Sequence, residues 1–386
     1  MKEEIKQTHL SHFGDNISTF YFSPATMLVL GEGLDNLKGP TLSFATDKGL
    51  WAGVSARDDL MLHIHLNFHA DWFDLSVDLS NLQKQQSSIY ARLLVSMIKK
   101  LQYEGYKVSK GLNVSVVLDH TLPKNLGMHP NYLMLFMKIF VHQNLFKLSS
   151  DKMIRYAFYA EKTLQELNSS IVHHVTCIHA KKNHLLKLDI KTLAYENIPF
   201  DTLNHQLISV FVARPKFIVN ADITERLKAI DKATNDIREA RAISYLSELS
   251  LQAFNDLKKH IRKKNIVPFV EHAVFEIDRV IQAIDHLKAS DYVMFGDVLE
   301  QSQNSIKHLY DLSNQYYNDL INILMDEYAL GARLSQIGYD QIVIALFEKT
   351  DIPKDFKSYQ DGFYKQYKKS IEMETIHLSK GIHIKK

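Results

Sequence analysis

Cysteine occurs once in these 386 residues, at Cys177. A lone thiol excludes an intrachain disulfide framework and fits a reducing compartment. Neither sign of charge dominates, since 46 Lys and Arg stand against 44 Asp and Glu, a formal net charge of +2. That balance gives no electrostatic reason to expect nucleic acid or an anionic membrane surface as a partner. Long apolar runs are missing as well: the most apolar one, residues 132–141, is interrupted by Lys138 and falls well short of the ~20 residues that a membrane span requires. The opening MKEEIKQTHL carries acids and no apolar stretch, so no secretory signal is expected there and a cytoplasmic location is. What is present is an ordinary globular mixture, 46% hydrophobic and 23% charged, long enough for two domains that each bury a core.

The apolar periodicity changes along the chain. Residues 17–22, 27–30, 41–45 and 50–55 are β-rich, the last two lying around Gly49 and Gly53. In MLHIHLNFH, residues 61–69, apolar and polar residues alternate strictly, which predicts a strand with His63, His65, Asn67 and His69 on one face. A His-x-His strand can ligate a metal, but no carboxylate or cysteine stands beside it in sequence, so a solvated face is the expectation. Residues 87–103 have the three-and-four spacing of an amphipathic helix, and Gly105 follows its end. A strand over 112–118 runs into the loop KNLGMHPN and then a long apolar segment, 132–146. Strand, loop and buried helix are the context of a phosphate-cradling loop. A helix is predicted over 152–167, and strands over 185–189 and 206–212. Helices follow over 224–241, 244–259, 268–289 and 292–311, then a strand over 342–346, a helix over 356–371 and a final strand over 375–384.

The stretch SPATMLVLGEGLDNLKG, Ser23 to Gly39, resembles the signature segment of the galactokinases, A-P-G-R-x-N-L-I-G-E-H-T-D-Y-N-G-G. That family belongs to the superfamily it shares with homoserine, mevalonate and phosphomevalonate kinases. Gly31, Glu32, Asp35 and Gly39 match, whereas Thr26 stands at the family's arginine, Leu28 at its asparagine and Gly33 at its histidine. The resemblance continues in order along the chain. At the family's P-x-G-A-G-L-S-S-S-A loop this sequence keeps Pro123 and Gly127, with Asn125 at a glycine and His129, Pro130 and Asn131 at the serines. Counting back from Lys181, His184 and Asp189 puts His173 at the family's catalytic aspartate, with His174 following. Arg226 matches a third short motif. His272, Glu276 and Arg279, then Phe295, Gly296, Ser302, Ser305, Tyr310 and Ser313, match two longer ones, with Gln303 at a histidine. Finally GARLSQIGYDQIVIAL resembles G-A-R-M-T-G-A-G-F-G-G-C-A-I-A-L, keeping Gly331, Ala332, Arg333 and Gly338, with Gln336, Asp340 and Gln341 at glycines.

The resemblance implies an α+β, two-domain kinase fold: an N-terminal mixed α/β domain, residues 1–195, and a ferredoxin-like C-terminal domain, residues 196–386. It implies Glu32 and Asp35 as sugar-hydroxyl contacts, for which carboxylates are good acceptors. It also implies that the catalytic arginine and aspartate are replaced, by Thr26 and His173, and that Asn125, Gly127, His129 and Asn131 form a degraded phosphate loop. Pro130 removes a backbone donor there, and Asp340 adds negative charge near the third motif's Gly338. The expectation is therefore a galactokinase-like pseudokinase, with no catalytic residue, metal or cofactor, that retains a sugar or a protein partner. Two alternatives stand beside it. One is an active galactokinase that uses ATP and Mg²⁺ to make galactose 1-phosphate, with His173 as its base. The other is a sugar-responsive regulator or partner subunit.

Overall fold

The structure, a computed structural model, describes residues 1–35, 37–68, 71–83, 86–122, 128–164, 169–212, 223–336, 341–354 and 356–385. The chain divides into two compact units. The first comprises Met1–Thr26, Ala45–Ala180 and Ser379–Lys386, and the second Met27–Phe44 and Lys181–Leu378.

The first unit opens with helix α1 (Lys2–Phe13), which has little apolar periodicity to announce it and ends on Gly14 at a φ of +75°. Strands β1 (Thr19–Leu30), β2 (Pro40–Arg57), β3 (Met61–Phe68), β4 (Asp71–Asp78) and β5 (Gly111–Leu118) follow, with helix α2 (Ile89–Tyr103) before β5. The two segments expected around Gly49 and Gly53 are one continuous strand, because both glycines lie where neighbouring chain crosses closely. A Cβ on Gly49 would stand 2.2 Å from the Ser23 carbonyl oxygen. Helices α3 (Met128–Gln143), α4 (Ser150–Lys162) and α5 (Ile171–His179) complete the unit with the terminal strand β12 (His383–Lys385). Ser149 and Ser170 cap α4 and α5 by accepting from Lys152 and Val172 N–H. The sheet order is β12-β1-β2-β5-β3-β4, with β3 and β5 parallel. β5 is buried along its whole length, and α2 and α3 pack against α4.

In the second unit β6 (His184–Asp189) pairs with residues 40–43 of β2 and with β7 (Tyr195–Pro199). Next come β8 (His205–Val212), α6 (Ile223–Arg238), α7 (Leu251–Leu257), α8 (Val267–Lys288), α9 (Tyr292–Ser305) and α10 (Gln315–Asp326). Then β9 (Gly331–Ser335), β10 (Ile342–Glu348), α11 (Phe356–Tyr367) and β11 (Ile371–Ile376) follow. α9 continues as a π-helical turn, Ile306–Tyr310, stopped by Asp311 in the left-handed conformation. The antiparallel order β11-β8-β10-β9 is the ferredoxin-like arrangement that the resemblance implied. Its core gathers Ile208, Val210, Val343, Ala345 and Phe347 from the sheet with Val270, Ala273 and Val274 of α8.

Two expectations are corrected here. The final strand predicted over 375–384 is two strands, β11 in one sheet and β12 in the other, with Gly381 between them. A Cβ at Gly381 would meet the Ile178 carbonyl oxygen at 2.4 Å, so the chain needs glycine to pass there. The histidine face of β3 is not simply solvated: Asn67 is buried, and His65 is covered by rings from α1 and β4.

Candidate active site

In the second unit β1 gives way at Gly31 to the signature turn. Gly31 and Gly33 have φ of +93° and +73°, and a Cβ on Gly31 would lie 2.9 Å from the Pro40 carbonyl oxygen. That backbone is open to glycine and costly to other residues. The Gly31 N–H donates to Glu276 Oε1 at 3.2 Å. The same carboxylate accepts from Arg279 Nε at 2.8 Å and from Ser302 Oγ, 3.0 and 2.9 Å from its two oxygens. Burial alone would raise the Glu276 pKa, but the neighbouring Arg279 and Arg333 cations outweigh it and hold the group at about 2. Arg279 also donates to the His272 carbonyl at 3.3 Å, and His272 Nδ1 lies 2.8 Å from Ser305 Oγ. The His272 ring stacks on Tyr310 at 4.3 Å. An ion network thus holds the turn from behind.

The turn's own carboxylates differ in setting. Glu32 is 7% exposed and its Oε2 meets Arg333 Nη2 at 2.7 Å. Arg333 is fully buried and also donates to the Val29 carbonyl, while Ser335 Oγ donates to the Leu28 carbonyl at 2.7 Å. Asp35 is half-buried, and its carbonyl accepts from Lys38 N–H at 3.4 Å.

In the first unit Thr26, Asn131 and His173 come together. They are 1%, 0% and 2% exposed, which closes them to bulk water. Thr26 Oγ1 donates to Asn131 Oδ1 at 3.3 Å, so its 3.0 Å contact with His173 Nδ1 is one in which the ring N–H donates. Ser23 Oγ donates to the Asn131 carbonyl at 3.0 Å and lies 3.3 Å from Cys177 Sγ. Burial lowers the His173 pKa to about 4 and raises that of Cys177 to about 12. The trio is neutral at pH 7. It offers no cation to a phosphate and no carboxylate to a hydroxyl.

No family model matches the chain. Its sequence is 24% identical over 374 residues to galactokinase of Clostridium perfringens, covering 93% of this chain and 96% of that one. It is also 24% identical over 353 residues to galactokinase of Streptococcus suis, covering 91% and 90%. The chain is thus similar to galactokinases over nearly its whole length and theirs. Its fold is that of the Lactococcus lactis galactokinase solved in complex with galactose, at a TM-score of 0.92 and 19% identity over 99% of both chains. Mevalonate kinase of Methanococcus jannaschii is similar at a TM-score of 0.63 and 14% identity, covering 93% of this chain and 98% of that one. The fold is therefore the two-domain kinase fold of the superfamily.

Of the residues that the sequence resemblance puts at a catalytic arginine and aspartate, the structure joins Thr26 and His173 and adds Asn131 to them. His129 lies apart in the first turn of α3, its ring 5.6 Å from Tyr90. Asn125, Gly127, Gly338 and Asp340 lie outside the described residues. Sequence reasoning recorded Glu276, Arg279 and Ser302 as motif matches without giving them a role. They are the charged support of the signature turn, and the signal was available: two charges and a hydroxyl on the inner face of predicted helices need partners when buried. A buried carboxylate in α4, Glu161, was also passed over; its Oε2 is 3.5 Å from His174 Nε2, with both side chains fully buried.

Proposed function

We propose that this galactokinase-like chain binds a sugar at the signature turn without transferring phosphate to it. One observation carries the reading: the buried, neutral Thr26–Asn131–His173 trio occupies positions where the family resemblance implies an arginine, a magnesium-binding serine and the catalytic aspartate. The residues present do not fit a nucleotide with its metal. Pro130 has no N–H to offer, Asn131 is fully buried with its carboxamide oxygen turned to Thr26, and His129 and Asn131 replace hydroxyls. Support for sugar binding comes from the turn, whose Gly31, Glu32, Asp35 and Gly39 keep the family pattern and whose backbone is held by Glu276.

A second reading, ATP-dependent phosphorylation of galactose, is favoured by the relatives, which match over nearly their whole length and are galactokinases. There His173, neutral at pH 7, would have to serve as base, from a position 2% exposed. Thermal unfolding with galactose, with Mg-ATP and with both, alongside a coupled turnover assay, separates the readings. A ligand at 100 times its dissociation constant adds ~2.7 kcal/mol to native stability. The proposal expects a higher Tm with galactose, none with Mg-ATP and no product. A shift with Mg-ATP and measurable galactose 1-phosphate would overturn it for the second reading. No shift with either ligand would overturn sugar binding and leave a regulatory or partner role.

A further inference from the structure

We propose that His12, His65 and Asp74 form a site for a late first-row divalent cation, with Zn²⁺ its representative. Three separate elements of the first unit supply the ligands. His12 lies in the last turn of α1, His65 is on β3, and the antiparallel register sets Asp74 of β4 directly opposite His65. Asp74 Oδ1 is 2.6 Å from His65 Nδ1 and 3.2 Å from His12 Nε2, and the three ligand atoms all lie within 4.8 Å of one another. Tetrahedral coordination at the usual Zn–N and Zn–O lengths spaces ligand atoms by about 3.3 Å. One contact already has that spacing, and the other must open by less than an ångström. The Asp74 side chain is 61% exposed, so it has room to move.

Stacking on both faces holds the His65 ring in place. His65 lies between His12, at 3.8 Å and 16°, and Trp72, at 4.2 Å and 17°. Both histidines present a nitrogen to the same carboxylate oxygen, so each carries a hydrogen on that nitrogen. Coordination requires that nitrogen to give up its hydrogen, which a neutral ring does by moving it to the other ring nitrogen. It also requires the ion to lie near both ring planes, and the His12 side chain, 33% exposed at a helix end, is the one free to tilt. Two imidazoles and one carboxylate, with the fourth position open to water, suit zinc and its neighbours rather than magnesium or calcium, which prefer oxygen ligands. A bound ion ties α1 to the β3–β4 hairpin.

The test uses the full chain, stripped with a chelator and titrated with Zn²⁺ by calorimetry. The expected result is a single 1:1 event that also raises Tm, with no heat from Mg²⁺. His12→Ala and His65→Ala each weaken binding roughly tenfold or more, Asp74→Asn weakens it likewise, and His120→Ala leaves it unchanged. Should His65→Ala fail to fold, the variants at the more exposed His12 and Asp74 decide. Absence of saturable Zn²⁺ binding, or binding that persists in the His12→Ala, His65→Ala double variant, overturns the proposal.

Discussion

A threonine hydroxyl, a carboxamide and an imidazole can share a water-free site only because none of them needs to be charged. That makes Thr26 and His173 a matched pair. Thr26→Arg alone buries an unpaired cation, and His173→Asp alone an unpaired carboxylate; each is expected to cost on the order of 3–5 kcal/mol. The double variant recreates an ion pair and should recover at least about 1 kcal/mol relative to the sum. Urea unfolding of the four proteins measures it, and simple additivity would show that the positions are not coupled. Much of this was legible in the sequence. Thr26, Glu32 and Asp35 are visible as departures from, or matches to, one short motif, and His173 as a departure from another further along the chain. Asn131 as the third member was not, because it depends on how α3 and α5 pack, which no local spacing encodes. Nor was the pairing of Glu32 with Arg333, from motifs three hundred residues apart.

Retained glycines gain their meaning between elements. Gly296 in α9 and Gly331 in β9 face one another: a Cβ on Gly296 would stand 2.1 Å from the Leu330 carbonyl oxygen, and one on Gly331 would stand 2.2 Å from that of Gly296. Helix and strand therefore touch backbone to backbone. This close approach supports the strand carrying Arg333 and the helix carrying Ser302. Beyond it the π-helical turn reorients the chain so that Tyr310 reaches His272, and Arg226 Nε takes the Tyr310 carbonyl at 3.0 Å. Gly296→Ala should destabilise by about 1–3 kcal/mol, as overpacking does, despite alanine's better helix propensity. A stability rise in thermal unfolding would show that the contact is looser than described. At this scale the sequence served well at α4, predicted over 152–167 and capped by Ser149, and missed α5, which Ser170 caps. It served poorly where close chain crossings put glycine inside strands, as at Gly49, since glycine otherwise reads as a break.

Across the whole chain, acid sensitivity follows from where histidine is buried. His9, His173 and His174 of the first unit have pKa values lowered by burial to about 4, 4 and 3, and His272 of the second to about 3. Burial also lowers His63, His179 and His383, all in the first unit. An unfolded chain takes up these protons near pH 6.5, whereas the folded one refuses them until much lower pH. Stability therefore falls as pH drops through the interval from about 6.5 to about 4, by up to about 1.4 kcal/mol per pH unit for each such histidine. Glu276 adds a separate loss in the second unit, from about pH 4.5 down to its folded value of about 2. With folding stabilities of ~5–15 kcal/mol, the histidine-rich first unit should give way first. Hydrogen exchange followed from pH 7 to pH 3 should show protection lost in α5 and β5 between about pH 6 and 4, while α8 and β10 persist to lower pH. Simultaneous loss in both units, or a first unit stable below pH 4, would mean that the buried histidines are not the groups that govern acid unfolding.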